Sequence, residues 1–385
     1  MYQYAPDHNA VFADTGPAYS WRFDAGGQIN GGLAVVGNAL FAETFAPSVI
    51  ALDRTDGKLL WKTRMPNVVM TTPIVADGLV IVGTGRDRVA LDNGRTLIWG
   101  SPGGDEVAAL DQTSGRVVWT YKTVGEDMPS PALVTIGGRD AVVFANGDDH
   151  IRALDARSGH LIWSTPMLGV STMASAAAAN GVVYVLAGVS ADMHVPDHVY
   201  AVRASDGDIL WAAPYGNADD SPVVAEGHVV VEDGQVFPGP ASANASNDVY
   251  ALDSESGRLI WGKRSDPGYF TSTGTNEEAI AALIQGGVVF QSFPAARRLV
   301  AFDLQTGHAI WSVATQAAVK MSAIAAGDRL YFGDTAGFLY TVQEGGGRVL
   351  SRRYFGRPFT CSSPVLVGST LYIANNDRIF ALPMR

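Results

Sequence analysis

Acidic residues occur in three short segments that otherwise contain small and turn-forming residues. The segments read GEDMPSP, NADDSP and GTNEEA, and they carry Glu126 and Asp127, Asp219 and Asp220, and Asn276, Glu277 and Glu278. Carboxylates gathered in one place raise one another's pKa or require a cation. Such hard oxygen ligands suit Ca²⁺, and a carboxylate held beside a bound ligand can act as a general base. Lys320, in the next comparable segment, would stabilise developing negative charge.

These segments lie far apart in the sequence, so they share a site only if a repeated element brings them together. The stretch VIALDRTDGKLLW, residues 49–61, returns as VAALDQTSGRVVW, IRALDARSGHLIW and VYALDSESGRLIW. Copies of this unit end at Trp61, Trp119, Trp163, Trp211, Trp261 and Trp311, and a decayed copy ends at Ser351. Successive ends are 40 to 58 residues apart, which is the period of a four-stranded propeller blade.

Each copy of the repeat predicts a β-hairpin between the last two strands of a blade, C and D. The Asp, as in Asp53, accepts backbone N–H bonds from its own turn, and the Gly, as in Gly57, takes a positive φ angle. The Trp offers a flat surface that covers the neighbouring blade. We therefore interpret the repeated Trp and Asp residues as architecture and not as chemistry.

The two ends of the chain complete one blade between them. The last repeat stops at IFALPMR without a D strand, and the chain has a lone strand in AYSWRFDAGG near its start. The sequence therefore predicts an all-β, eight-bladed propeller, closed by pairing the strand around Trp21 with the strand around Phe380. Residues 1–385 are expected to form this single domain, with residues 1–18 as an N-terminal extension.

One face of such a ring is predicted to carry the functional site. The A–B and C–D turns are short, whereas the length variation lies in B–C and D–A segments, namely 83–107, 187–199, 232–249 and 262–280. Variable loops on a rigid scaffold usually carry function, although neutral drift of surface loops is the alternative. Because D–A loops end beside the axis, the acids and Lys320 are expected to meet in a central funnel, with Asn30, Thr72 and Arg357 around it.

Composition limits the partners. A net charge of −11 leaves no basic stripe for nucleic acid. Cys361 is the single cysteine, which excludes an internal disulfide and a C-x-x-C-H haem motif. No apolar run is long enough to span a membrane. The start MYQYAPDHNA is unlike a signal peptide, so we expect a cytoplasmic protein if the sequence is complete, and a periplasmic one if it is a mature form. A monomer is expected.

The repeat resembles the pyrroloquinoline-quinone (PQQ) repeat over essentially the whole chain. Two kinds of relative share this propeller: the quinoprotein alcohol dehydrogenases, which bind PQQ and Ca²⁺, and the cofactor-free lipoprotein of the bacterial outer-membrane β-barrel assembly machine, which is similar in length. The dehydrogenase resemblance implies Ca²⁺ ligands at Glu126, Asp127 and Asn276. It also implies a base at Asp219 or Asp220, with Glu277 and Lys320 as further catalytic residues.

The resemblance to the dehydrogenases is incomplete. It implies cofactor contacts at Asn30, Thr72 and Arg357, with Trp99 as the candidate stacking residue, but Cys361 has no neighbouring cysteine to lie against a quinone. Two function classes therefore stay open. One is a binding or scaffolding propeller that presents its loop face to a protein or small ligand. The other is an enzyme with its site in the acidic funnel, either a quinoprotein-like oxidoreductase or another acid–base enzyme.

Overall fold

A computed structural model describes most of the chain and shows an all-β protein. The described residues are 19–85, 89–92, 96–99, 105–125, 129–171, 173–188, 197–216, 220–233, 248–264, 281–294 and 296–384. Within them the regular elements are strands, arranged as eight four-stranded antiparallel sheets and one separate hairpin. These residues contain no helix that is long and apolar enough to cross a membrane. The predicted N-terminal extension, 1–18, lies outside the described residues.

The first four blades follow one another along the chain, each with strands A to D in sequence order. Blade one contains β2 (Ala34–Val36), β3 (Ala39–Thr44), β4 (Ser48–Asp53) and β5 (Leu59–Arg64). Blade two contains β6 (Ile74–Ala76), β7 (Leu79–Thr84), β10 (Glu106–Asp111) and β11 (Val117–Lys122), and the hairpin of β8 (Val89–Asp92) and β9 (Thr96–Trp99) is inserted between its middle strands. Blade three contains β12 (Ala132–Ile136), β13 (Arg139–Ala145), β14 (His150–Asp155) and β15 (Leu161–Pro166). Blade four contains β16 (Ala177–Ala179), β17 (Val182–Ala187), β18 (His198–Arg203) and β19 (Ile209–Ala213).

The other four blades have the same arrangement, and the last one takes its fourth strand from the start of the chain. Blade five contains β20 (Val223–Ala225), β21 (His228–Asp233), β22 (Asp248–Asp253) and β23 (Leu259–Arg264). Blade six contains β24 (Leu283–Gln285), β25 (Val288–Phe293), β26 (Arg298–Asp303) and β27 (Ala309–Ala314). Blade seven contains β28 (Ile324–Ala326), β29 (Arg329–Gly333), β30 (Phe338–Gln343) and β31 (Val349–Tyr354). Blade eight contains β32 (Val365–Val367), β33 (Thr370–Asn375), β34 (Arg378–Pro383) and β1 (Trp21–Asp24).

The ring closes as the sequence predicts. Strand β1 pairs with β34 in a register that sets Trp21 opposite Ala381 and Arg22 opposite Phe380. The inner strand β2 contacts both β6 and β32, so blade one has blade two on one side and blade eight on the other. Closure gives blade eight its fourth strand, and the radial arrangement leaves only short, protected sheet edges.

The hairpin residues have the predicted architectural roles. Asp155 Oδ1 accepts a hydrogen bond from Ser158 N at 2.9 Å, and hydrogen bonds to Ser158 hold the pKa of this carboxyl below its usual value. Gly207 has a φ of +81°, and a Cβ there would lie 2.5 Å from the ring of Trp163 on the preceding blade. Trp163 Nε1 in turn donates to Ala204 O at 2.9 Å. The Trp of one blade therefore covers the C–D turn of the next.

The hydrophobic core is divided among the blade interfaces. The cluster that includes Trp61, Val80 and Ala108 joins blades one and two, and the cluster that includes Trp163 and Val185 joins blades three and four. Each of the eight clusters lies between neighbouring blades in this way. The ring is thus stabilised mainly by contacts between adjacent sheets, as expected for a repeat protein.

Candidate functional site

Buried polar side chains are concentrated at the end of the ring that carries the D–A and B–C loops. At this end they are Glu43, Thr44, Ser48, Thr71, Thr84, Asp105, Glu106, Thr123, Asn146, Asp148, Ser171, Asp220, Glu232, Asp248, Gln291, Ser292, Asp334, Ser362 and Asn375. At the opposite end, Asp155 and His228 are the buried polar side chains among the described residues. A buried polar group must be hydrogen-bonded or pay a desolvation cost, so this layer needs a structural or functional explanation.

Many of these buried polar side chains form hydrogen bonds to D–A loops and so hold each loop against an adjacent blade. Glu43, near the end of β3, accepts hydrogen bonds through Oε1 from Asn30 N at 2.9 Å and from Gly31 N. Asp334 plays the same role in blade seven. It accepts hydrogen bonds from Gln316 N at 3.2 Å and from the Tyr340 hydroxyl at 2.9 Å. The loops beside the axis are therefore held in defined positions.

Glu43 is an acid of this layer with a strongly shifted pKa. Its side chain is fully buried, and burial raises the pKa of its carboxyl to about 8 against the lowering effect of the two backbone N–H groups. The second oxygen, Oε2, has no hydrogen-bond partner. At neutral pH the carboxyl is thus mostly protonated. Sequence reasoning missed this residue, although a glutamate inside the apolar strand ALFAET was a signal that could have found it.

A chain of hydroxyl groups links the starts of the inner strands around the axis. Gly32 N donates to Thr72 Oγ1 at 2.8 Å, and Thr72 N donates to Ser130 Oγ at 2.7 Å. Ser130 N donates to Ser175 Oγ at 3.1 Å, and Ser175 N donates to Ser221 Oγ at 2.9 Å. This hydroxyl girdle joins blades one to five. Thr72, predicted to contact a cofactor, has its hydroxyl and amide engaged in this girdle.

The predicted site residues that the structure describes have clear partners. Asp220 is buried, and its two oxygens accept from Ser221 N at 2.7 Å and Glu232 N at 2.6 Å. Arg357 forms an ion pair with Asp377 in the B–C turn of its own blade. Asn30 Oδ1 accepts from Gln28 Nε2 at 2.8 Å. Lys320 lies half-buried in the D–A loop of blade seven.

Most of the other predicted site residues lie outside the described part of the chain. Glu126, Asp127, Asp219, Asn276 and Glu277 lie outside the described residues, and so does Glu278; Trp99 ends β9, of which only the backbone is described. Their convergence on one funnel stays a prediction. Gly125, the residue before Glu126, is described. A Cβ on Gly125 would lie 2.4 Å from the carbonyl carbon of Gly147. The loop that carries Glu126 therefore contacts the B–C turn of blade three, the blade into which it leads.

One cluster of potential metal ligands occurs among the described residues of this face. Single ligand atoms of Asp148, Asp149 and His150 lie within 4.8 Å of one another. Both oxygens of Asp148, however, accept from the Arg152 guanidinium at 2.7 and 2.8 Å. Such bidentate pairing is strong and directional, and it accounts for the buried Asp148 carboxylate without a metal ion.

Four described acids of this face, Glu43, Asp148, Asp220 and Asp334, are engaged by donors of the protein itself. Calcium requires several oxygen ligands that converge on one point. Oxygens of Glu43, Asp220 and Asp334 instead accept from backbone N–H groups, and those of Asp148 accept from Arg152. These four acids are therefore bonded within the protein.

Comparison with known proteins identifies the family. A family model described as outer membrane protein assembly factor BamB matches residues 10–187 and 147–382. The chain belongs to this family, and the predicted membership in the PQQ-repeat propellers is confirmed. The BamB of Xanthomonas campestris pv. campestris is 28% identical over 363 residues, which cover 89% of this chain and 79% of that protein.

Similarity also extends to proteins with other names. Tetrathionate hydrolase of Acidithiobacillus ferrooxidans is 26% identical over 376 residues, covering 92% of this chain and 72% of that protein. The crystal structure of quinohemoprotein alcohol dehydrogenase from Comamonas testosteroni superimposes with a TM-score of 0.69 at 13% identity, covering 94% of this chain and 76% of that chain. At that identity the likeness shows the fold, and fold does not determine function.

Proposed function

We propose that this member of the BamB family is a partner-binding scaffold that works outside the cytoplasm and binds a protein through its D–A/B–C face. The observation that carries the proposal is the combination of anchored loops and exposed apolar side chains on this face. Val124 and Leu168, in the D–A loops that follow blades two and three, are 50% and 64% exposed. Burying such exposed apolar side chains against a partner removes apolar surface from water, which favours association.

The internal bonding of the face supports a binding role over a catalytic one. An acid–base catalyst must present a titratable group to its substrate, whereas Asp220 and Asp334 direct their oxygens to backbone amides. Loops held in place lose little entropy on association, which favours tight binding. The family description as an assembly factor agrees with a role in binding proteins.

A pull-down tests this proposal: the purified propeller is immobilised and used to capture its partner from an envelope extract of a bacterium that contains BamB. We expect Leu168→Glu and Val124→Glu to weaken capture of the partner by at least about tenfold, since a charge in an apolar interface costs more than 1.4 kcal/mol. Leu60→Glu is the matched control, because Leu60 is 54% exposed near the opposite, C–D face. Equal capture by all three variants would place the interface elsewhere and refute the proposed face.

A second candidate function is an enzyme with its site in the same face. The similarity to tetrathionate hydrolase over 92% of this chain is the observation that favours it. In this form Asp219, Glu277 and Lys320 are the catalytic candidates, and Glu126, Asp127 and Asn276 the metal ligands. The assay is consumption of tetrathionate by the purified protein, compared with an Asp219→Asn, Glu277→Gln double variant. No consumption above buffer would remove the hydrolase form.

The quinoprotein form of the enzyme candidate has its own test. PQQ and Ca²⁺ are added to the purified protein, and the absorbance spectrum and the melting temperature are recorded. A ligand that binds only the folded state raises the melting temperature by mass action. Absence of both a spectral change and a thermal shift at high PQQ and Ca²⁺ concentrations would eliminate this form.

A further inference from the structure

The interface between blades seven and eight differs from the others at the position of the Trp. In blade one, Trp61 Nε1 donates to Gln112 O on the next blade at 3.0 Å, and its ring covers Gly115. Ser351 holds the corresponding position of β31 in blade seven. The surface that it faces also differs, because β34 of blade eight pairs with β1 from the other end of the chain and not with a following strand.

The residue opposite this position has changed as well. Trp61 lies opposite Ala51, Trp163 opposite Ala153, and even Trp21 opposite Ala381 in the closing blade. In blade seven, Thr341 lies opposite Ser351, and their hydroxyl oxygens are 3.0 Å apart in a hydrogen bond. A large ring on a small alanine has thus been replaced by two short polar side chains, which leaves space between the blades.

That space is a cavity of about 470 Å³. We call it the seam cavity; its lining includes Thr341, Leu350, Ser351, Leu371, Leu382 and Met384. Ligand pockets commonly have volumes of about 300–1,000 Å³, with apolar walls and a few polar groups. In size and lining the seam cavity fits this description, at the place where an indole ring fills the corresponding interface of other blades.

Two cations give the seam cavity a chemical preference. Arg329 and Arg353 belong to its lining, and none of the described residues that line it is acidic. Arg353 stands two residues after Ser351, where Thr63 and Thr165 in other blades donate to glycine carbonyls at 2.6 and 2.7 Å. Arg353 thus takes the place of a short neutral donor. Guanidinium groups pair well with carboxylates because they offer parallel N–H donors.

We propose that the seam cavity binds a small planar aromatic carboxylate, with its ring in the place that Trp holds at the other interfaces and its carboxylate at Arg353. The ring lies against the partly exposed Leu350, Pro383 and Met384, and the hydroxyls of Thr341 and Ser351 lie beside it. This site is on the side of the ring away from the D–A/B–C face, so it is independent of the partner-binding surface proposed above.

Calorimetric titration with indole-3-propionate tests the proposal on the full chain. We expect a dissociation constant on the order of 0.1–1 mM for a ligand of this size. Arg353→Ala is expected to weaken binding of indole-3-propionate about tenfold and to leave binding of uncharged indole unchanged. Ser351→Trp fills the seam cavity, so it should abolish binding and raise the melting temperature by about 2–4 °C.

Matched variants make the result decisive. Leu60→Trp adds a tryptophan at an exposed position of β5 and should leave binding unchanged; should Ser351→Trp fail to fold, Ser351→Leu serves as the smaller filling variant. Absence of binding to the unmodified chain, or binding that survives filling of the cavity, overturns the proposal.

Ser20 N donates a hydrogen bond to Ala381 O at 2.8 Å, so the chain reaches β1 close to the cavity. Binding that appears only after removal of residues 1–18 would therefore also overturn it.

Discussion

The Glu43→Gln substitution is expected to remove the part of the pH dependence of the unfolding free energy that arises from the Glu43 carboxyl. Burial raises the pKa of the Glu43 carboxyl from 4.5 to about 8, so the folded protein retains a proton that the unfolded chain releases. Stability contributed by this site is complete below pH 4.5 and is lost as the pH rises to 8. At 1.36 kcal/mol for each pKa unit, the loss approaches about 5 kcal/mol above pH 8.

The Glu43→Gln side chain keeps what the protonated acid provides. Its amide oxygen accepts from the amides of Asn30 and Gly31, and its NH₂ group replaces the oxygen that lacks a partner. The free energy of unfolding of the variant, relative to that of the unmodified protein, should therefore rise by about 1.4 kcal/mol for each pH unit between 5 and 8.

Urea unfolding at pH 5, 6, 7 and 8, followed by circular dichroism, measures this difference. The comparison is between two proteins at each pH, so titration of other groups cancels when they are unaffected by the substitution. Asp334, whose pKa burial also raises, is present in both proteins and supplies such a background. Parallel stability curves for the two proteins would refute the reasoning that Glu43 is protonated in the fold.

The other predictions concern the blade interfaces and the hydroxyl girdle. Gly207→Ala should destabilise the protein by about 1–3 kcal/mol more than Gly181→Ala; both glycines have positive φ angles, but a Cβ at Gly207 meets Trp163 whereas one at Gly181 meets open space. Urea unfolding of the two variants checks this, and equal losses would show that the Trp ring adapts freely. Ser130→Ala should cost about 1–2 kcal/mol because Thr72 N loses its acceptor. Ser130→Thr keeps the hydroxyl and should recover most of that loss in the same assay, and equal stability of the Ala and Thr variants would exclude the hydrogen bond as the cause.

Local chemistry repeated along the chain made much of the fold predictable. The Asp and Gly of each hairpin act within their own turn, and the Trp acts on the corresponding turn of the next blade, so their spacing shows the blade count directly. The pairing of the strands around Trp21 and Phe380 followed from counting C and D strands, and the register of β1 on β34 confirms it. Such features survive in the sequence because each copy must satisfy the same turn and the same neighbouring blade.

The candidate site was less accessible to sequence reasoning. Asp220 and Asp334 lie in loops or at strand ends like any surface acid, and their engagement with backbone amides depends on how each loop returns over its blade. Glu43 and the girdle from Gly32 to Ser221 join residues of different loops and blades, and no local pattern encodes those contacts.

The sequence by itself determined the blade hairpins, their number and the need for the chain ends to meet, because these depend on turn conformation and on a surface repeated in every copy. Only the tertiary structure decided which polar groups are buried, which donors reach them, and that the change from Trp to Ser351 opens a cavity. Burial and hydrogen bonding between blades depend on distances across the ring, which the order of residues along the chain does not contain.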